Sequence, residues 1–204
     1  MAMLDQRKRL LQCKIVYYGP GRGGKTTNLQ YVHRTLESRI KSELTSIKTT
    51  GDRTLFFDFL PIGIGKIGDY DVRLQVYTVP GQIKYNATRK LVLRGVDGIV
   101  FVADSLVARR ESNVQSLENL EENLEDYGKR IYKIPIVLQY NKRDLEAHGV
   151  SLLPIDVMEA DLNKELKTTS FPASAIVGGN VMNTMKTILK LTIKHVHGYL
   201  AQKA

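Results

Sequence analysis

The stretch "YYGPGRGGKTTNL", from Tyr17 to Leu29, constrains the fold more than any other part of the chain. Its glycines, Gly19, Gly21, Gly23 and Gly24, are followed at once by Lys25, Thr26 and Thr27. Upstream lies the β-branched and aromatic run "CKIVYY", and downstream the pattern becomes helical. Glycine adds nothing to packing, so its concentration marks backbone that must curl where a β-carbon would obstruct or where φ must be positive. The spacing fits GxxxxGK[ST] between a strand and a helix, where successive backbone N–H groups cradle phosphate oxygens. Lys25 is then placed to bridge the β- and γ-phosphates, and the Thr26 hydroxyl to bind Mg2+. Arg22, inside the loop, is a second cation near the phosphates and reads as solvent-facing.

The rest of the chain alternates short apolar runs with longer helical patterns. Strands are predicted at Cys13–Tyr18, Thr54–Leu60, Val72–Val79, Gly98–Asp104, Ile134–Tyr140 and Thr169–Ala173. Helices are predicted at Lys25–Ile40, Tyr85–Leu93, Arg110–Tyr127, Ile155–Leu166 and Val181–Leu200. "IVFVAD" and "IPIVLQYN" are nearly continuous apolar runs, the mark of strands covered on both faces in a parallel sheet. The link "PIGIGKIGDYD" is too short for a crossover and predicts an antiparallel hairpin. The expected architecture is therefore α/β: a six-stranded, mostly parallel sheet with one antiparallel strand near its edge, flanked by about five helices. Residues 1–204 read as a single domain, with 1–12 as a short N-terminal extension.

Composition excludes several classes. No stretch approaches the roughly 18 apolar residues that a membrane span needs. The start "MAMLDQRKRLLQ" has no apolar core of a secretory signal, and neither an MG start nor a C-terminal CaaX cysteine suggests a lipid anchor. The lone Cys13, in an apolar run, fits a reducing cytoplasm and reads as a small core residue. No Cys/His cluster has metal-ligand spacing. The net charge of +9 is spread along the chain without interleaved aromatics, which argues against nucleic acid. Lys186, Lys190 and Lys194 form a stripe on the last helix, either a solvated face or a weak contact for an anionic surface.

A phosphate loop does not choose the base. "QYNKRD" places Asn141, Lys142 and Asp144 at the end of a buried strand, the NKxD signature of guanine-binding P-loop proteins. The Asp144 carboxylate can accept from both N1–H and N2–H of guanine, a donor pair that adenine lacks. The Lys142 stem can lie along the base, and Asn141 can tie this loop to the phosphate loop. "PASA" follows the next strand, so Ser174 and Ala175 read as the loop that closes over the guanine O6 edge.

"VYTVPGQIKYN" reads as a DxxGQ segment, with Gly81 sensing the γ-phosphate and Gln82 orienting the attacking water. The usual acidic position is Thr78, so either the ion is held less tightly or another carboxylate contributes; Asp58 and Asp52 are the upstream candidates. In "TSIKTTGDRTLFFDFLP", Thr54 is the choice for a second Mg2+ ligand, with Thr49 and Thr50 as alternatives. Arg53 reads either as an arginine finger in cis or as a surface arginine at a strand entry.

Taken together, these residues resemble Ras-like small GTPases over nearly the whole chain. More narrowly, the chain is similar to the MglA-type bacterial GTPases of gliding motility and cell polarity. "KIVYYGPG", "GKTTNL", "DRTLFFDFLP", "YTVPGQ", "ATRKLVLRGVDGIVFVADS" and "NKRDL" carry the likeness, and Thr78 belongs to that family's pattern. The resemblance implies a P-loop NTPase fold, GTP and GDP with Mg2+, and slow intrinsic hydrolysis. It also implies Arg53, Thr54 and Gln82 as catalytic residues and a strand bearing Phe56, Phe57 and Phe59 that shifts register between states. A homodimeric MglB-like roadblock protein is implied as the GTPase activator, with polarity or motility effectors and a cytoplasmic protein recruited to a cell pole with GTP. The competing reading is a hydrolysis-deficient adaptor that keeps its nucleotide and acts by binding partners.

Overall fold

The structure, a computed structural model, describes residues 3–5, 7–36, 45–48 and 56–201. The strands are β1 (Met3–Asp5), β2 (Leu10–Tyr18), β3 (Thr45–Lys48), β4 (Phe56–Ile67), β5 (Tyr70–Thr78), β6 (Gly98–Asp104), β7 (Ile136–Asn141) and β8 (Ser170–Pro172). The helices are α1 (Lys25–Leu36), α2 (Asn86–Leu93), α3 (Arg110–Glu125), α4 (Ile155–Leu162) and α5 (Val181–Ala201).

All eight of these strands join one sheet, seven of them in the order β3-β4-β5-β2-β6-β7-β8, with β1 paired antiparallel to β2 off that path. The pairs β2–β5, β2–β6, β6–β7 and β7–β8 are parallel, while β4 runs antiparallel to both β3 and β5. The predicted mostly parallel sheet with one reversed strand toward its edge is therefore present. Two short strands extend it. β3 lies outside β4, and β1 pairs with Leu10–Gln12, the part of β2 that β6 leaves open. Runs of three or four residues carry no readable period, which is why neither was anticipated.

The hairpin also differs in extent from its prediction. β4 and β5 continue through the glycine-rich link, leaving Gly68 and Asp69 as the turn. Gly68 has φ +57°, which suits glycine. The pairing slips between Gly63 and Gly65, a bulge rather than a loop. Another difference is the end of α4 at Leu162, short of Leu166. There the Asn163 side chain hydrogen-bonds both the N–H and the carbonyl of Thr168, competing with the next helical turn.

Period-two alternation divides the core into two layers. Cys13, Ile15 and Tyr17 of β2, with Val100, Val102 and Val137, face α1 and α5. Val16 and Tyr18, with Ile99, Phe101, Leu138 and Tyr140, face α2, α3 and α4. On α5 the predicted inward stripe is buried at Val181, Met185, Ile188, Thr192 and Val196, while Lys186, Lys190 and Lys194 are exposed. Of the three phenylalanines, Phe59 is half-buried and packs its ring 4.8 Å from that of Tyr77. With both faces covered, the open ground lies at the carboxyl ends of β2, β6 and β7, where ligands of such sheets bind.

Candidate functional site

The glycine-rich loop leaves β2 and enters α1 at Lys25. Gly19 and Gly24 have φ of +140° and +97°. A β-carbon on Gly19 would lie 2.2 Å from the Val102 carbonyl oxygen, and one on Gly24 would lie 2.1 Å from Asn141 Nδ2. Neighbouring strands press against the back of the loop, and glycine is what lets it fit. Arg22, at φ +63°, is exposed, as read from the sequence.

Lys25 is buried, and its Nζ donates to the Gly19 and Pro20 carbonyls at 2.9 and 2.7 Å. Burial, then the guanidiniums of Arg89 and Arg109, pushes its pKa down to about 7, against a smaller opposing pull from Asp58. Arg109 itself donates to the Gly21 carbonyl at 2.8 Å. Positive charge thus converges on the carbonyls of this loop, a setting that an anionic group would relieve.

Thr26 stands at the first turn of α1 and donates its hydroxyl to Asp58 Oδ2 at 2.6 Å. Thr78 donates to the same oxygen at 2.9 Å, and the Asp58 N–H donates back to Thr78 Oγ1 at 3.0 Å. Asp58, on β4, is buried. Of the two carboxylates considered for the missing acid at Thr78, Asp58 therefore sits beside the phosphate loop, whereas Asp52 lies outside the described residues. Among the described residues no three His, Cys, Asp or Glu side chains are grouped to hold a metal. A hard cation here would take the Thr26 hydroxyl, oriented by the Asp58 carboxylate behind it, with phosphate oxygens and water, a donor set that fits Mg2+.

The loops that follow β7 and β8 converge on one amide. Asn141 Nδ2 donates to the Gly23 carbonyl at 2.8 Å, and Asn141 Oδ1 accepts from the Ala175 N–H at 2.8 Å. Lys142 adopts φ +74°, which turns the chain sharply after β7, and its Nζ pairs with Asp104 at 2.5 Å. Asp144 follows in the short 3-10 segment Arg143–His148, half-buried and with its side chain making no hydrogen bond or ion pair to any described residue. Ser174 is buried, with its N–H on the Gly179 carbonyl at 3.0 Å.

Gly81 packs directly on the phosphate loop: a β-carbon there would lie 2.2 Å from the Gly21 nitrogen. Gln82 is exposed, with its Cγ 3.7 Å from the position of a Gly21 β-carbon. Thr27 is half-buried on α1. Arg53 and Thr54, with the alternatives Thr49 and Thr50, lie outside the described residues.

Three residues at the site escaped the sequence reading. Asp104, fully buried, accepts from Lys142 and from the Leu106 N–H and lies 3.8 Å from Arg109 Nε. Its place at the end of an apolar strand was a usable signal. Arg109 and Arg89 gave none, since an arginine near a helix start or within a helix reads as solvent-facing.

The model of the Ras family matches residues 14–194. The chain is 47% identical over 196 residues to the mutual gliding-motility protein MglA of Myxococcus xanthus (strain DK1622), covering 95% of this chain and 96% of that protein. The chain is a Ras-family small GTPase of the MglA type. A more distant likeness is to human ADP-ribosylation factor-like protein 4A, 26% identical over 189 residues, covering 88% of this chain and 83% of that one. In this Ras-family member the phosphate loop, the NKRD segment and Gly81 stand together at the carboxyl edge of the sheet. Among its described residues no helix is long and apolar enough to cross a membrane.

Proposed function

We propose that the protein is a GTP-binding and GTP-hydrolysing switch that governs gliding motility and cell polarity through nucleotide-dependent partner binding. The observation that carries the reading is the Asn141 amide, which links the phosphate loop at Gly23 to the base loop at Ala175 while leaving Asp144 available. One acidic group held at that register selects guanine. Gly19 to Gly24 and Lys25 hold the phosphates; Thr26, backed by Asp58, and Thr54 hold Mg2+. An ion held by these residues would supply neutralisation of charge on the phosphate oxygens. Gly81 offers its N–H to the γ-phosphate, Gln82 orients the water, and Arg53 acts as the finger. Ser174 and Ala175 close over the base edge.

The relative described as a mutual gliding-motility protein supports the cellular role. An MglB-like roadblock homodimer is the proposed activator, acting on an intrinsically slow enzyme that is cytoplasmic and gathers at a pole with GTP. Single-turnover GTP hydrolysis, alone and with such a roadblock protein, tests the reading for wild type and Arg53→Ala. Slow turnover that the partner accelerates, and that Arg53→Ala abolishes, is expected. Binding without hydrolysis under any of these conditions would shift the reading to an adaptor.

A further inference from the structure

Arg89, on α2, is buried, an unusual setting for a guanidinium. Its NH1 donates to the Gln82 carbonyl at 2.5 Å and to the Pro80 carbonyl at 3.4 Å. These are the two residues that flank Gly81. The rest of the group is anchored behind: Nε donates to Asn119 Oδ1 at 2.9 Å and NH2 to Asn86 Oδ1 at 3.2 Å. Asn119 also accepts from the Tyr18 hydroxyl at 2.7 Å, and Asn123 donates to Tyr18, Asn86 and Asn119 at 2.9 to 3.1 Å. Tyr18 is fully buried on β2, immediately before the phosphate loop.

We infer that Arg89 is a positioning residue for hydrolysis, fixing the Gly81–Gln82 backbone against the phosphate loop from a polar network rooted in α3 and β2. Apart from the Tyr85 N–H on the Gln82 carbonyl and the packing of Gly81 on Gly21, Arg89 is what ties this segment to the sheet and α3. Gln82 is exposed, and the 3-10 turn that follows it lacks a side-chain cap. A planar fork reaching two carbonyls and two amides at once fixes orientation as well as distance, which a lysine cannot reproduce. A chain rooted in Tyr18 also ties the water-orienting segment to the strand that launches the phosphate loop. The two therefore move as one body. The cost of a misplaced group of this kind is about 100-fold in rate for a displacement of roughly 1 Å.

The inference rests on Gln82 as the residue that orients water, and its test separates the two claims. Single-turnover GTP hydrolysis is measured for wild type, Arg89→Lys, Gln82→Ala and the double variant, beside GDP affinity and the thermal unfolding midpoint. The expected result is hydrolysis slowed about 10- to 100-fold by Arg89→Lys, GDP affinity within about twofold, and a double variant no slower than Gln82→Ala. A merely structural arginine would lower affinity and unfolding temperature together with the rate. If Gln82→Ala slows hydrolysis but Arg89→Lys does not, or if the two losses multiply, the positioning role is overturned. If Gln82→Ala has no effect, the reading of Gln82 itself falls. Should Arg89→Lys fail to retain GDP, Asn119→Ser, which withdraws the support behind the guanidinium, carries the same test.

Discussion

Thr78 donates its hydroxyl to Asp58 at 2.9 Å, across the antiparallel pair of β4 and β5. A threonine thus stands where guanine-nucleotide switches carry an acid, and the acid stands on the facing strand. Asp58 is also bonded to Thr26, so its carboxylate reaches the hydroxyl expected to hold Mg2+. A group that orients a metal ligand is worth about 10- to 100-fold in metal affinity. Asp58→Asn should raise the Mg2+ concentration needed for half-maximal GTP retention by about that factor. A fluorescent-nucleotide release assay titrated with Mg2+ reads it, and an unchanged midpoint would remove Asp58 from the metal site.

Lys25 gives a pH dependence with a definite sign. Its folded pKa, about 7, lies below its ordinary value because burial and two guanidiniums disfavour its charge. The unfolded chain therefore binds more protons above pH 7, and the nucleotide-free protein gains stability as pH rises from there. A bound polyphosphate favours the charged amine, so binding above pH 7 takes up a proton. GDP affinity should fall from pH 7 to 9, by at most about tenfold per unit. Calorimetry in buffers of differing ionisation enthalpy should find proton uptake, and none at pH 8 would contradict the assignment.

Base selection at Asp144 is open to a chemical swap. An asparagine keeps one acceptor for N1–H and puts an N–H donor where the 2-amino group points. Asp144→Asn should weaken GTP binding by about 100-fold, since a charge-assisted pair is lost and two donors then oppose one another. Xanthosine triphosphate, with a 2-oxo group, should bind the variant better than GTP does. Competition against a fluorescent nucleotide measures both, and unaltered preference for GTP would take Asp144 out of the base site.

Cys13 lies on β2, buried in the core layer that faces α1 and α5, and burial, aided by Asp97, pushes its thiol up to about 12. The thiolate is the reactive form. A disulfide-exchange reagent at pH 8 should label the native protein only at the rate of global unfolding, and denaturant should release one thiol per chain. Prompt labelling of the folded protein would show that this layer opens locally.

Legibility in the sequence followed how local each signal is. The glycine spacing and the NKRD run are contiguous, so the sheet edge they occupy could be read directly. The glycines at 63 and 65 misled, because a residue that usually breaks a strand here makes a bulge within one. Asp58 was one of two carboxylates named, and choosing it required the strand pairing that faces it to Thr78. Arg89 and Arg109 were invisible, since nothing in a helical stretch distinguishes an arginine that points inward. Arg53 and Thr54 rest on the family pattern.

The single amide of Asn141 has a consequence for how nucleotide leaves. It grips the carbonyl of Gly23 on one side and the N–H of Ala175 on the other, so neither grip can loosen without straining its counterpart. Base and phosphates should then be released as one event, and a guanosine and a pyrophosphate offered separately should each bind better when the other is already in place.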